Sequence, residues 1–255
     1  MESNLINSSF YSCVAPSNSS RTFLSQYDAI KQPTSTIDLR LDVQSGFVYN
    51  TKYNSELIRY DNNYNTVDMI QLSDSIQHLE PIIDSLRPQL VVDVGCGQGE
   101  LVTYLRKKGI DAVGFDPTLT IKDDFLIKEF FDPTILWEHR EKSCLFIMRC
   151  VLPHLENPFA FLDSIHMNFP LSTIFLEFQN LDWILSNHCW MNISHDHVNY
   201  FSVTSFNERY ILERSGSFAE DEWAYVVLSG ARNQRLLSPH SPPLFLPVIS
   251  FVNSN

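Results

Sequence analysis

One segment constrains the fold of this 255-residue chain more than any other: residues 91–100, which read VVDVGCGQGE. Gly95, Gly97 and Gly99 are three of only 8 glycines in the chain. Glycine is favoured where the backbone must take a positive φ or where a ligand approaches the main chain closely. The apolar run before the glycines predicts a buried strand, and the apolar spacing after them predicts a helix. A second strand ending at Asp116 completes the pattern of a nucleotide-binding βαβ unit.

Strand and helix signals alternate along the rest of the chain. Apolar residues at three- and four-residue spacing predict a helix from Met69 to Leu86, before Pro88. Further strands are expected at 144–151, 172–178 and 223–228, and further helices over 159–165 and 204–212. This alternation predicts the α/β class, with a Rossmann-like, doubly wound, mostly parallel sheet and helices on both faces.

The pattern divides the chain into three parts. Residues 1–66 form an N-terminal arm or lid, residues 67–237 the core, and residues 238–255 a tail. The first 36 residues are rich in Ser, Asn, Thr and Pro and lack periodicity, which predicts an irregular segment. A short hairpin is expected from Leu39 to Asn50.

Composition restricts the partners and the compartment. The formal net charge is −12, and no basic cluster stands out, so we do not expect a nucleic-acid partner. No signal-peptide pattern or membrane-spanning apolar run is present, so we expect no membrane partner. The five cysteines are scattered and show no C-x-x-C spacing. We therefore expect a cytoplasmic, metal-free protein with a small-molecule partner, and the sequence leaves its oligomeric state open.

The spacing of the glycine loop selects among nucleotide-like cofactors. A dinucleotide fingerprint, G-x-G-x-x-G, would need glycine at Glu100, and a carboxylate there would repel a pyrophosphate. The observed pattern, D-x-G-x-G-x-G from Asp93, resembles motif I of the class I S-adenosylmethionine (SAM) methyltransferases. The resemblance implies SAM as cofactor and S-adenosylhomocysteine as product, with Asp116 accepting from the ribose hydroxyls. The expected cofactor-binding residues are Asp93, Gly95, Cys96, Gly97, Gly99, Asp116, Pro117 and Arg149.

Two later segments carry candidate catalytic side chains. Residues 149–158, RCVLPHLENP, resemble the motif that follows the fourth strand of many methyltransferases, and they contain His154. Residues 194–202, SHDHVNYFS, place His195 and His197 on either side of Asp196. Histidine titrates near neutral pH and is the commonest general base, so we expect these four residues to be catalytic. The two histidines of the second segment could also ligate a metal, but further ligands are not obvious, so no metal site is predicted.

Taken together, these segments resemble the sugar C-methyltransferases over about Leu39 to Leu228. Residues 46–66, GFVYNTKYNSELIRYDNNYNT, are similar to that family's CGFVxNxxF(D/N)xxLxxYDxxYxN segment. Residues 193–202, ISHDHVNYFS, are similar to its IYHEHxSYFS motif. The resemblance implies a Rossmann methyltransferase core preceded by a zinc module. It also implies methylation of a carbon next to the ketone of a nucleotide-linked 4-keto sugar.

Departures from that family fall on the acceptor side. Asp42 and Ser45 stand where the family has zinc-binding cysteines, so the zinc site is expected to be lost. Ser194 and Asp196 replace a Tyr and a Glu, while His197 is retained. His197, oriented by Asp196, is therefore the expected base. Further residues are expected to line or cover the acceptor pocket: Tyr53, Tyr60, Tyr64, His154 and Tyr200.

Three functions remain open at the level of the sequence. The first is methylation of a sugar carbon, and the second is methylation of an oxygen or nitrogen on a small molecule. The third is SAM binding without turnover, as a partner protein.

Overall fold

The computed structural model describes residues 11–17, 23–43, 46–58 and 69–232, which form two β-sheets with helices packed on them. The strands are β1 (Tyr11–Pro16), β2 (Thr34–Leu41), β3 (Val48–Asn50), β4 (Leu90–Val94), β5 (Ala112–Phe115), β6 (Leu126–Ile127), β7 (Cys144–Arg149), β8 (Thr173–Gln179), β9 (Asn199–Tyr200), β10 (Tyr210–Phe218) and β11 (Trp223–Ala231). The α-helices are α1 (Gln26–Ile30), α2 (Met69–Leu86), α3 (Glu100–Lys107), α4 (Pro158–Asn168) and α5 (Leu181–Ser186). Short 3-10 helices occur at Ser55–Leu57, Pro133–His139, Leu152–His154, Trp190–Asn192 and Val203–Phe206.

The larger sheet has seven strands in the order β10-β11-β8-β7-β4-β5-β6. Strands β4 to β8 pair in parallel, and β11 pairs antiparallel with both β8 and β10. From β4 the chain passes to β5 on one side and later to β7 on the other. Ligands of such sheets bind at this switch point, outside the carboxyl ends of the strands. The predicted α/β, mostly parallel fold is confirmed.

Both faces of the seven-stranded sheet are covered. On one face, Leu79 of α2 and Leu105 of α3 pack with Val91 and Ile147 of the sheet. On the other face, a second core is formed by α4, the 3-10 helix Pro133–His139 and the opposite side of the same strands. Because both faces are buried, β4 and β7 are almost uninterrupted apolar runs, which made them visible in the sequence.

The second sheet has four strands in the order β1-β2-β3-β9, all paired antiparallel. The expected hairpin is present as β2 and β3, with Leu39 opposite Asn50. The N-terminal segment is more regular than we expected, since it contains both β1 and α1. Strand β9 lies within residues 193–202, so this sheet joins the N-terminal part of the chain to the histidine-containing segment. A third core, which includes Ile37, Tyr200 and Ile184, lies between this sheet and α5.

The helix predicted over 204–212 is wrong. The chain forms a 3-10 turn, Val203–Phe206, capped by Ser202 and Ser205, and then enters β10. Tyr210 is buried, and its hydroxyl donates to Asp163 Oδ1 at 2.7 Å. Pairing with β11, a contact that spacing along the sequence does not reveal, outweighs the weak helical pattern. The predicted tail, 238–255, lies outside the described residues.

Candidate functional site

The three loop glycines all have positive φ, but a β-carbon at each position would enter different surroundings. Their φ values are 72° at Gly95, 59° at Gly97 and 85° at Gly99. A β-carbon on Gly95 would lie 2.4 Å from Cγ2 of Val151, and one on Gly99 would lie 2.6 Å from the side chain of Leu126. A β-carbon on Gly97 would meet nothing within 4 Å among the described residues. Gly95 and Gly99 therefore permit close packing, whereas the space beside the α-carbon of Gly97 is open.

Asp116 orders this loop from the carboxyl end of β5. Its Oδ2 accepts from the backbone N–H of Gly97 at 2.9 Å. Its Oδ1 accepts from the backbone N–H and the hydroxyl of Thr118, at 2.7 and 2.6 Å. The carboxylate is thus placed between the glycine loop and the loop after β5, and it is 3% exposed.

Gln98 makes a second connection that sequence reasoning missed. Its Nε2 donates to the carbonyl of Thr118 at 3.2 Å. Its Oε1 accepts from the backbone N–H and the hydroxyl of Thr120, at 3.0 and 2.7 Å. No spacing rule singles out this glutamine, because its partners lie about 20 residues away along the chain.

Two predicted cofactor residues, Cys96 and Pro117, are placed less directly. The thiol of Cys96 is buried against Gly114, whose β-carbon would lie 2.7 Å from Sγ. Burial raises the pKa of this thiol above its ordinary value. The thiol of Cys96 is therefore not available to a cofactor, and its backbone N–H donates to the carbonyl of Phe115 at 3.1 Å. Pro117 follows Asp116 directly and is half-buried.

Asp93, Arg149 and Glu177 form a charged row at the carboxyl ends of the adjacent parallel strands β4, β7 and β8. Asp93 pairs with Ile147, and Arg149, two residues further along β7, pairs with Glu177. Because side chains alternate along a strand, all three charged residues lie on the face covered by α2. Consistent with this, Nη1 of Arg149 donates to Oγ of Ser75 in α2 at 3.5 Å.

Asp93 is a buried acid of the charged row with a raised pKa. It is 1% exposed, and its Oδ2 has no hydrogen-bond partner among the described residues. Burial raises the pKa of this carboxyl to about 7, although the nearby Arg149 guanidinium opposes the rise. The carboxylates of Asp116, Glu177 and Glu100 raise it further.

The two segments with candidate catalytic residues meet beside the glycine loop. The backbone N–H of Val198 donates to the carbonyl of Pro153 at 2.7 Å. Nδ1 of His154 donates to the backbone carbonyl of Asp196 at 2.8 Å. The rings of His154 and His197 are 4.7 Å apart, edge to face. Because Val151 packs on Gly95, these histidines adjoin the cofactor side of the sheet.

His197 is a neutral imidazole at neutral pH. Burial lowers its pKa to about 4, and the neighbouring His154 acts in the same direction. The carboxylate of Asp196, which is 1% exposed, opposes this shift. Main-chain groups contact both histidines: the carbonyl of Asp196 accepts from His154, and the backbone of Asn192 makes a hydrogen bond with His197.

His195 makes structural contacts on several sides, and its catalytic role stays a prediction. It is fully buried, and its Nε2 accepts from the backbone N–H of Asn54 at 3.0 Å. Its Nδ1 lies 3.5 Å from Nδ2 of Asn50, and its ring stacks on Tyr53 with centroids 5.4 Å apart. Burial lowers its pKa below the ordinary value. His195 therefore fastens the segment after β3 to residues 193–202.

The tyrosines expected around the pocket differ in their placement. The hydroxyl of Tyr200 donates to the carbonyl of Ser194 at 2.9 Å and accepts from its N–H at 3.0 Å, so it shapes the segment. Tyr53 stacks on His195, and burial and the carboxylates of Glu156 and Asp196 raise its pKa. Tyr60 and Tyr64 lie outside the described residues.

Within the described ranges, no group of three His, Cys, Asp or Glu residues is arranged to hold a metal ion. No helix in that part of the chain is long and apolar enough to cross a membrane.

Comparison with known proteins adds a family match. The model of a family described as "Methyltransferase domain" matches residues 68–216, more than half of the chain. No curated protein matches.

Solved structures with a similar arrangement include the methyltransferase domain of bacterial CtHen1, at 13% identity, covering 62% of this chain and 98% of that chain, with a TM-score of 0.45. The magnesium protoporphyrin IX methyltransferase of Synechocystis PCC 6803, with bound SAH, is 16% identical, with coverage of 66% and 90% and a TM-score of 0.44. A SAM-dependent methyltransferase from Archaeoglobus fulgidus is 13% identical, with coverage of 63% and 94% and a TM-score of 0.42.

Proposed function

Because the chain belongs to the family of methyltransferase domains, we propose that it is a SAM-dependent methyltransferase that acts on a small molecule. When bound, SAM supplies a methyl group on an electrophilic sulfonium. We propose that the acceptor is a carbon of a keto sugar, nucleotide-linked as in the resembled family, and that the protein is cytoplasmic.

The residues of the glycine loop fit this cofactor. The space beside the α-carbon of Gly97 is open, and Asp116, which holds the loop, is an acceptor group suited to ribose hydroxyls. The buried Oδ2 of Asp93 has no partner among the described residues, so it can accept from a cationic ligand group. We propose that these residues, together with the backbone of Gly95, Cys96 and Gly99, bind SAM, with Pro117 beside the ribose and Arg149 in the charged row.

One observation carries the proposal for the reaction: Val151 contacts Gly95, and His154, three residues later, donates to Asp196. Two facing imidazoles therefore adjoin the cofactor loop. Methylation of a carbon next to a carbonyl requires a base that removes the α-proton. In neutral His154 the Nδ1 proton is used by the Asp196 carbonyl, so the lone pair lies on Nε2.

We therefore propose His154 as the base, with the imidazole of His197 beside it. Asp196 orients His154 through its main chain, and its buried carboxylate lies close enough to His197 to affect its charge. Holding the acceptor next to the methyl donor contributes to the rate in addition to the base.

A changed acceptor is the second candidate. Ser194 stands where the resembled family has a tyrosine, and its buried Oγ has no hydrogen-bond partner among the described residues. A hydroxyl or amine acceptor would place a polar group near this oxygen. Methylation of oxygen or nitrogen would use the same base. A SAM-binding partner protein without turnover is the third reading.

Two measurements test the proposal. Isothermal titration with SAM and S-adenosylhomocysteine tests cofactor binding. Transfer of a labelled methyl group to nucleotide-linked 4-keto sugars, and to their hydroxyl and amino analogues, tests turnover and the acceptor. We expect binding of both cofactor forms and transfer to a keto sugar. If neither cofactor form binds, all three readings are wrong; binding without transfer to any compound favours the non-catalytic reading.

Histidine variants test the base. We expect His154→Ala to keep its SAM affinity within about twofold and to lose about 10²- to 10⁴-fold in transfer rate, the usual contribution of a general base. His197→Ala should lose less, and His188→Asn, a change at an exposed histidine outside the site, should lose nothing. An unchanged rate in His154→Ala would refute its role.

A further inference from the structure

The charged row has an unequal number of positive and negative groups. Asp93 and Glu177, which are 1% and 0% exposed, flank a single guanidinium, that of Arg149. One cation cannot neutralise two buried carboxylates, and an uncompensated buried charge is strongly unfavourable. The row therefore needs one more positive charge, which either a proton or a ligand cation can supply.

Asp93 is the acid of the row that lies next to the glycine loop, and it has an unused acceptor. Its Oδ2 is buried and has no hydrogen-bond partner among the described residues. Two residues further along the chain, Gly95 begins the loop that approaches the proposed cofactor. A ligand ammonium placed at this oxygen would complete the charge of the row with a charge-assisted hydrogen bond.

We infer that Asp93 carries a proton in the cofactor-free protein and releases it when the α-ammonium of SAM binds beside the charged row. The inference rests on the proposed function. On binding, the Asp93 O–H bond breaks and the proton goes to solvent. The resulting carboxylate then accepts a hydrogen bond from the ammonium, so total charge and protons balance. Cofactor affinity is thereby linked to pH through one residue.

The groups around Asp93 agree with a carboxyl group that titrates near neutral pH. The burial of the carboxyl and the carboxylates of Asp116 on the β5 side, Glu177 on β8 and Glu100 on α3 all favour the protonated form. Arg149 on β7 opposes it, and the balance leaves the pKa of Asp93 at about 7. From α2, the contact with the row is that of Ser75 with Arg149.

Isothermal titration of the unmodified protein with SAM, in buffers of different ionisation enthalpy, counts the protons released. At pH 7 about half of the molecules carry the proton, so we expect about 0.5 proton released per SAM bound. SAM affinity should rise about fivefold from pH 6 to pH 7. The range stays below the pKa of an α-amino group, about 7.7–8.0, so the amino group of the ligand remains mostly an ammonium.

Two comparisons identify the group responsible. 5′-Methylthioadenosine, which has the nucleoside and the thioether but no amino-acid portion, should bind without proton release. Asp93→Asn should bind SAM with no release and with equal affinity at pH 6 and pH 7. Glu100→Gln, which removes an acid that also acts on Asp93 but lies outside the row, should keep the release.

The outcomes separate this inference from the proposed function. If SAM does not bind at all, the proposed function is wrong. If SAM binds without proton release, or if 5′-methylthioadenosine releases as much as SAM, only the inference is overturned. Equal release from Asp93→Asn and the unmodified protein would also overturn it. If Asp93→Asn fails to fold, the comparison of SAM with 5′-methylthioadenosine still decides the question.

Discussion

Gly95 and Gly97 both have positive φ, yet the β-carbons they lack would enter different surroundings. At Gly95 the space is filled by Val151, whereas at Gly97 it is open. Two glycines separated by one residue therefore differ in their surroundings: Gly95 packs two loops together, whereas the space beside the α-carbon of Gly97 is open.

Alanine substitutions at these two glycines should have different effects. At Gly95, alanine adds backbone strain and a clash with Val151, so we expect the free energy of unfolding to fall by about 2–4 kcal/mol. At Gly97 it adds strain alone, about 1 kcal/mol, but it narrows the approach to the main chain, so SAM affinity should fall at least tenfold. Urea unfolding and titration with SAM measure the two effects. A larger stability loss at Gly97 than at Gly95 would contradict this account.

His166 links the stability of the protein to pH. It is 7% exposed on α4, and its Nε2 has no hydrogen-bond partner among the described residues. Burial lowers its pKa to about 4, against about 6.5 in an unfolded chain. Between these values the unfolded chain binds more protons, so stability is full above about pH 6.5 and falls as the pH falls towards 4.

Replacing this histidine with a side chain that does not titrate should reduce that loss. From pH 7 to pH 5, we expect the unfolding free energy of His166→Gln to fall by about 2 kcal/mol less than that of the unmodified protein. Urea unfolding at both pH values measures this difference, with His188→Asn as the exposed control. Part of the loss should remain, because burial also lowers the pKa of His197 to about 4. Equal losses in all three proteins would disprove the role of His166.

At the scale of elements, the buried parallel strands could be predicted from the sequence, whereas the edge strands β1 and β10 could not. Strands β4, β7 and β8 are covered on both faces, so their apolar runs are local signals. By contrast, β1 and β10 are edge strands whose alternating or polar residues acquire meaning only from partners elsewhere in the chain. For β10 we therefore predicted a helix where the structure has a strand.

The site shows the same division. Asp93 and Asp116 could be predicted because each follows or ends a strand with a clear signal. The contact of His154 with Asp196 joins positions 42 residues apart, which no spacing rule gives. His195 and His197 are two histidines only two positions apart, so the sequence does not distinguish their roles. In the structure, His195 contacts Asn50 and Asn54 and holds the segment after β3 to residues 193–202.

At the scale of the whole molecule, three strands from the N-terminal part of the chain meet the much later strand β9 in the four-stranded sheet. Strand β9 pairs with β3, and one position on, Asn180 and Phe201 form an isolated bridge next to the seven-stranded sheet. His195 adds a side-chain connection to Asn54. Residues 193–202 are therefore held by the N-terminal part of the chain, while the glycine loop belongs to the core.

This dependence predicts an asymmetric effect of removing the His195 ring. In His195→Ala, the amide of Asn54 loses its acceptor, a change worth about 1–3 kcal/mol in a buried site. Hydrogen exchange of the amides in residues 48–58 should therefore become about tenfold faster or more. SAM affinity should stay within about twofold, because the glycine loop has its own supports in Asp116 and Gln98.

His139→Ala, in the 3-10 helix against the opposite face of the seven-stranded sheet, should change neither measurement. Unchanged exchange in residues 48–58 would show that the N-terminal part is held without His195. A parallel loss of SAM affinity would show that the two halves of the site are not independent.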